Sequence, residues 1–319
     1  MSMKKSRRVF LRESGLLAAG FAVYGLSACG GEQKIKLLDT PDNLFFKISL
    51  AQWSLHKTLF SGKLDNLNFA IKAKKDYGID AVEYVNQFFK DKAKDKAYLA
   101  EMKKRADDHG VRSLLIMIDG EGDLGSTVPE ERAAAVENHY KWLDAAKELG
   151  CHSIRVNAAG QGDAGDVAQA AARSLTELGN YAAQLDLNVL VENHGGYSSN
   201  GQWLAFVMRA VNRPNVGTLP DFGNFCITRG EDGSCAEEYD RYQGVTELMP
   251  FAKAVSAKTN DFNEEGAEVR IDYGRMLGIV KSFGYDGYIG IEYEGSAMSE
   301  DNGVRATKNL LITEGIKLS

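Results

Sequence analysis

The sequence predicts a single-domain α/β protein of the (β/α)8, or TIM, barrel class, and three observations carry that prediction. Short apolar runs of strand length alternate eight times with longer helical patterns from Lys47 to Ile316. Eight such units over about 270 residues fit a barrel, whose ordinary length is about 250 residues. The first strand runs into Gln52-Trp53-Ser54-Leu55-His56 instead of a glycine-rich phosphate loop, which argues against a doubly wound open sheet.

The strand-like runs begin near Lys47 (KISLAQWS), Ala81 (AVEYVNQF), Val111 (VRSLLIMID) and Ser153 (SIRVNAAG). Four more begin near Asn188 (NVLVENHG), Val216 (VGTLPDFGN), Ala254 (AVSAKTNDF) and Tyr288 (YIGIEYEG). Helical patterns fill the intervals: 64–77, 94–109, 130–149, 166–185, 200–211, 238–252, 272–283 and a closing one over 301–316. Several end in the glycine expected at a helix C-terminus, as at Gly78, Gly110, Gly150 and Gly284.

Composition bounds the function classes. The 319 residues are 44% hydrophobic and 26% charged, which excludes disorder, collagen and a disulfide-stapled miniprotein. A chain of this length buries a large core without disulfides or structural metals. Only 5 prolines occur, with no Pro/Ser/Gly-rich linker to mark a second domain. Lys and Arg form no dense block beyond the first dozen residues, so no nucleic-acid partner is expected.

The N-terminus reads as an address. Lys4, Lys5, Arg7 and Arg8 precede an apolar stretch from Leu16 to Leu26, too short to span a bilayer with these flanks but suited to a signal peptide. Ser6-Arg7-Arg8-Val9-Phe10-Leu11-Arg12 resembles the bacterial twin-arginine motif, and Leu26-Ser27-Ala28-Cys29 resembles a lipobox. The resemblance implies export by the twin-arginine route and a lipid on Cys29, holding the protein in the bacterial cell envelope on the periplasmic side or the cell surface. The expected organisation is a signal peptide over 1–28, a flexible linker over 29–46 and the barrel over 47–319. Removing residues 1–28 takes away five basic residues and one acidic one, moving the net charge from −6 to −10. Of the remaining cysteines, Cys151 opens an apolar strand segment and reads as a core thiol. Cys226 and Cys235 lie in one loop, where their pairing stays open.

Barrel chemistry belongs at the C-terminal ends of the strands. The predicted ends carry Glu83, then Arg155 and Asn157, then Glu192-Asn193-His194. Asp221-Phe222-Gly223-Asn224, Lys258-Thr259-Asn260-Asp261 and Glu292-Tyr293-Glu294 follow. Glu192, Asp221 and Glu292 would converge on one side of the mouth. Carboxylates that close repel, so one divalent ion (Mn²⁺, Mg²⁺, Co²⁺ or Zn²⁺) is the simplest counter-charge.

The motifs VENH, LPDFGN and IEYEG, in that order, resemble the xylose isomerase-like barrel superfamily, in particular its sugar phosphate isomerase/epimerase branch. That resemblance implies a metal held by a Glu, an Asp, a His and a second Glu. Glu192, Asp221 and Glu292 match the first, second and fourth. The third departs: where many relatives read His-x-Lys, this chain reads Ser256-Ala257-Lys258. Water, Ser256 or His194 is left to supply the missing ligand, or the site is weak or empty.

The resemblance implies a sugar isomerase or epimerase that removes a proton beside a carbonyl through an enediolate, Glu192 and Glu292 serving as base and acid. Lys258 would steady an oxyanion, and Arg155 or His194 would orient substrate hydroxyls. Trp53, His56, Asn157, Glu83 and Asn224 join the expected substrate-binding set. Trp53, Phe222 and Phe225 either stack on a sugar ring or pack. Glu83 is either a pocket acid or half of an ion pair with Arg155. His109 and His152 read as structural and His139 as a surface residue of its helix. Export points to a free sugar, keto-sugar or glycoside as the small-molecule partner, since phosphorylated sugars are cytoplasmic. A lyase acting on a 3-keto-glycoside shares the first proton abstraction, and a lipid-anchored sugar-binding protein without metal is the non-enzymatic alternative. An endonuclease IV-like activity fits poorly with five scattered histidines and an acidic chain. Relatives associate through barrel helices, so an oligomer stays open.

Overall fold

The strands form where the apolar runs place them. They are β1 (Lys47–Ala51), β2 (Ala81–Val85), β3 (Arg112–Met117), β4 (Ser153–Asn157), β5 (Asn188–Glu192) and β6 (Val216–Leu219). After the short β7 (Cys226–Arg229) and β8 (Cys235–Glu238) come β9 (Val255–Thr259) and β10 (Tyr288–Tyr293). The structure, a computed structural model, describes residues 33–319. The export and lipidation motifs, Cys29 included, lie outside the described residues.

The eight-stranded sheet runs in the order β6-β5-β4-β3-β2-β1-β10-β9, with parallel pairing throughout. Its two edges meet. The Phe222 amide donates to the Ser256 carbonyl (3.1 Å), the Ser256 amide to Pro220 (2.9 Å) and the Lys253 amide to Thr218 (3.0 Å), closing the barrel. Closure removes the exposed strand edges that would otherwise seek a partner.

The helices are α1 (His56–Phe60), α2 (Phe69–Tyr77), α3 (Lys96–Asp108), α4 (Pro129–Leu149) and α5 (Ala164–Gln184). Then follow α6 (Gly201–Val211), α7 (Arg241–Leu248), α8 (Tyr273–Ser282) and α9 (Glu300–Leu318). Side chains start them: Asp163 accepts from the Gly165 amide, Asn200 from Trp203 and Asp272 from Arg275. Gly78 and Gly150 end α2 and α4 at φ of 63° and 74°, a backbone region that costs glycine no side-chain clash. One apolar layer lies between helices and strands, while a smaller one fills the barrel interior with Ala51, Val85, Leu115, Met117, Leu190 and Leu219.

Four expectations change. The linker is docked over its described part: the Ile35 and Leu38 amides donate to Asn302 and Asn309 of α9 (both 2.9 Å), and those side chains donate back to the Gln33 and Lys36 carbonyls. The loop holding Cys226 and Cys235 is an antiparallel hairpin, β7–β8, closed by a disulfide between them. That hairpin takes Glu238, the first residue assigned to the sixth helical interval, and the helix there begins at Arg241. His139 is 3% exposed, turned inward with Nδ1 against the Ala135 carbonyl (2.7 Å). As expected, Cys151 is a buried free thiol.

Candidate active site

Strand alternation decides which side chains reach the mouth. Glu192 ends β5, Asp221 follows β6 by two residues, and Glu292 lies on β10. A carboxylate oxygen from each lies within 4.8 Å of the others, and all three residues are buried. Ser256 and Lys258 project into the same space from β9. The Ser256 hydroxyl lies 2.6 Å from Asp221 Oδ2 and 3.0 Å from Glu292 Oε2. Lys258 Nζ donates to Glu292 Oε1 (2.8 Å) and pairs with Glu294 Oε2 (3.1 Å). Two glycines make room. A Cβ at Gly223 would meet the Lys258 side chain at 2.6 Å, and one at Gly290 would meet the Glu83 carboxyl at the same distance.

The backbone around Asp221 is clamped. The Asn193 amide group donates to the Asp221 carbonyl (3.0 Å), and its oxygen accepts from the Asp221 amide (2.8 Å). Asp221 Oδ1 accepts from the Gly223 and Asn224 amides (2.9 and 2.8 Å), while Asn224 Nδ2 holds Glu192 Oε1 (2.9 Å). Arg155 lies buried, Nη1 2.7 Å from Asp119 Oδ1 and Nε 2.7 Å from Glu192 Oε2. The Nε contact is not aligned as a hydrogen bond, so Glu192 Oε2 is a buried oxygen with no hydrogen-bond donor. Asn157 Nδ2 adds a second contact to Asp119 Oδ1 (2.9 Å).

Protonation follows from burial and charge. Burial pushes Glu192 up to about 7 against the pull of the Arg155 guanidinium, and Asp221 up to about 7 against Lys258. Burial also raises Glu292, but the Lys258 ammonium, Arg155 and the Ser256 hydroxyl outweigh it and hold Glu292 below the ordinary range. Lys258 stays charged because Glu292 and Asp221 overcome the cost of its burial. Asp119, despite partial burial, is held at about 2 by Arg155. Burial thus leaves two carboxyls poised near neutrality beside one kept ionised.

Those residues fit a divalent cation: three buried carboxylates, one with an oxygen lacking a hydrogen-bond donor, and a hydroxyl between the other two. The donor set is all oxygen, the preference of hard ions such as Mg²⁺ and Mn²⁺. Of the proposed sources for a fourth protein ligand, Ser256 is inside the cluster. His194 is exposed at the mouth and not part of it.

The expected substrate-binding set divides. Arg155, Asn157 and Asn224 hold carboxylates in place instead of facing open space. Glu83 does not pair with Arg155; Ser49 donates to its Oε1 (2.6 Å), its Oε2 has no hydrogen-bond partner, and burial raises it to about 7. Trp53 does reach the mouth, its Nε1 donating to Glu294 Oε1 (2.5 Å), with the His56 ring stacked on it at 4.8 Å. His56 is fixed through Nδ1 on the Trp53 carbonyl, and Glu300 anchors the turn behind it by accepting from the Lys57 and Thr58 amides. Phe222 and Phe225 are fully buried packing residues. Asp119, missed in the sequence, carried one usable signal: it ends the apolar run SLLIMID at a strand's C-terminal end.

Residues 71–314 match the family described as xylose isomerase-like TIM barrel. No curated protein matches the chain. Among solved structures it resembles a D-tagatose 3-epimerase-like protein at 18% identity and TM-score 0.62, covering 86% of this chain and 98% of that one. A 3-keto-D-glucoside 4-epimerase from E. coli aligns at 15% identity and TM-score 0.60, covering 84% and 99%. The IolI protein, with a bound zinc atom, aligns at 14% identity and TM-score 0.63, covering 85% and 99%. At these identities the likeness is one of fold.

Proposed function

The chain belongs to the xylose isomerase-like TIM barrel family, and from that premise we propose that it is a divalent-metal-dependent epimerase or isomerase of sugars, acting by proton abstraction beside a carbonyl. The observation that carries the reading is the buried triad Glu192, Asp221 and Glu292 at the mouth. A divalent ion held by those three residues would polarise a substrate carbonyl and its neighbouring hydroxyl, acidifying the intervening carbon.

The chain's own groups supply the proton chemistry. Glu192 Oε2 is the base: it belongs to the carboxylate cluster, is buried and lacks a hydrogen-bond donor. Glu292 is the partner on the opposite face of the reacting carbon: ionised beside Lys258 at rest, it takes up a proton from solvent when Lys258 turns to the substrate and passes that proton to the carbon of the enediolate, while Glu192 returns the abstracted proton to solvent. Lys258, released in part from Glu294, donates to the oxygen that gains charge. Arg155 and Asn224 fix the Glu192 carboxylate in a single orientation, which preserves the geometry a proton transfer needs.

The substrate follows from compartment. The reading takes the protein to lie outside the inner membrane, lipid-anchored through Cys29; the resemblance to twin-arginine and lipobox motifs and the Cys226–Cys235 disulfide, suited to an oxidising environment, support it. A free keto-sugar or a keto-glycoside is then the substrate class. Elimination of an aglycone from a 3-keto-glycoside is the second reading, favoured by the likeness to a keto-glucoside epimerase and beginning with the same abstraction.

The test is metal content and proton exchange together. Protein lacking residues 1–28 should bind about one Mn²⁺ per chain, lose it in Glu192→Gln and Glu292→Gln, and exchange a carbon-bound proton of a keto-sugar in deuterated water. Absence of metal binding together with absence of exchange would leave a sugar-binding protein.

A further inference from the structure

Three aromatic rings stand at the mouth beyond the carboxylates. Trp53 and Phe88 pack against the apolar barrel interior, closing it from above. Phe60, at the end of α1, leans on both: its ring centroid is 6.1 Å from Trp53 and 4.9 Å from Phe88, and Trp53 to Phe88 is 6.2 Å. Phe60 is 59% exposed, the most exposed large apolar side chain among the described residues. A ring left largely in water costs free energy that an occupant would recover.

The wall is continuous with the acidic site. Glu292 holds Lys258 (2.8 Å), Lys258 holds Glu294 (3.1 Å), and Glu294 accepts from Trp53 Nε1 (2.5 Å). A sugar ring over the carboxylates would therefore have Trp53 at its flank and Phe60 and Phe88 one ring further out. The inner part of this path offers ammonium, carboxylate and hydroxyl groups suited to sugar oxygens. The outer part offers Phe60 and Phe88, whose side chains have no hydrogen-bonding group. One face of the Trp53 indole is covered by His56 at an interplanar angle of 12°, so an occupant meets its remaining surface.

We propose that the Trp53–Phe60–Phe88 wall is a subsite for a flat aromatic aglycone, which makes the substrate an aryl keto-glycoside and not a free keto-sugar. This rests on the sugar reading above and adds the substituent. A second sugar at that position would bring its hydroxyls to side chains that cannot bond them, whereas an aromatic ring can add to Phe60 and Phe88, which already meet as a tilted pair at 53°, in the offset or edge-on geometries aromatic rings prefer.

The experiment is calorimetric binding of phenyl and methyl D-glucopyranosides, both anomers, to protein lacking residues 1–28, with Phe60→Ala and Phe88→Ala alongside. The phenyl glycoside of one anomer should bind about tenfold or more tightly than its methyl counterpart. Phe60→Ala, which touches no buried packing, should bring that ratio within about twofold, and Phe88→Ala should lower it independently. Equal affinity for phenyl and methyl glycosides, or a ratio that survives both variants, would overturn the proposal. So would a Phe60→Ala that changes the sedimentation of the protein but not the ratio, since the ring would then be a contact between copies. Binding preference is read without turnover, so the two readings fail separately. Proton exchange on a free keto-sugar with no phenyl preference removes only the aglycone subsite, and a phenyl preference without exchange removes only the chemistry.

Discussion

Ser256 stands where the resemblance to the sugar isomerase/epimerase branch implies a His, and its position gives that difference a physical meaning. Its hydroxyl lies between Asp221 and Glu292, so replacing imidazole by hydroxyl leaves an oxygen-only ring. Protein lacking residues 1–28 should bind Mn²⁺ or Mg²⁺ in preference to Zn²⁺. Ser256→His should tighten Zn²⁺ by about tenfold or more, read by titration calorimetry with the ion alone. An unchanged Zn²⁺ affinity would show that position 256 does not face the ion. Glu83 offers a second test, with a definite sign. Burial raises it from 4.5 to about 7 in the folded chain, so the native state holds its proton more tightly than the unfolded one. Stability therefore falls as pH rises from about 4.5 to about 7 and stays reduced above. Glu83→Gln should stabilise the protein at pH 8, by up to about 3 kcal/mol, and change little at pH 5. Denaturant midpoints at the two pH values check this, and a gain of equal size at both would show that charge is not the cause. Sequence could name Glu83 but not choose between its two roles, because the choice depends on Arg155 finding Asp119 and Glu192 nearer.

At the scale of elements, the legible ones were those with a repeating apolar face. Each barrel strand begins within one residue of the run that announced it, since burial of a parallel strand on both faces writes a continuous apolar segment. The β7–β8 hairpin has no such face. All of β8 is exposed, and each strand is four residues long. Its one signal was Asp232-Gly233, a favoured hairpin turn pair, with Gly233 at φ 80°. The docked segment before β1 was hidden for a related reason, because its anchors Asn302 and Asn309 lie in α9, more than 260 residues away. Function gives the hairpin weight. It leaves the barrel two residues after Asn224, which holds both Asp221 and Glu192. Reduction, or Cys226→Ser with Cys235→Ser, removes a short-loop crosslink worth about 2–3 kcal/mol. Trypsin should then cut after Arg229 at least several-fold faster while the melting temperature of the barrel moves by a few degrees at most. Cleavage at an unchanged rate would mean that strand pairing alone fixes the hairpin.

The proposed anchoring of the whole molecule at a membrane rests on its N-terminal segment and not on residues 33–319. Among the described residues no helix is long and apolar enough to cross a bilayer. The chain without residues 1–28 carries a net charge of −10, which anionic headgroups repel. The proposed association falls to the N-terminal segment, where the lipobox-like sequence makes Cys29 the candidate for lipidation. Anchoring by acyl chains is hydrophobic and survives high salt, whereas peripheral electrostatic binding is screened away. In cells, the full chain should fractionate with membranes, resist extraction by 1 M salt and be released by detergent. Cys29→Ala should move it to the soluble exported fraction, and Arg7→Lys with Arg8→Lys should hold it inside the cytoplasm with its signal peptide uncut. Retention of Cys29→Ala at the membrane would sink the lipid reading. Export of the double lysine variant would sink the twin-arginine one. In the second case the protein would cross unfolded, and Glu192, Asp221 and Glu292 would have to assemble and capture their ion outside the cell.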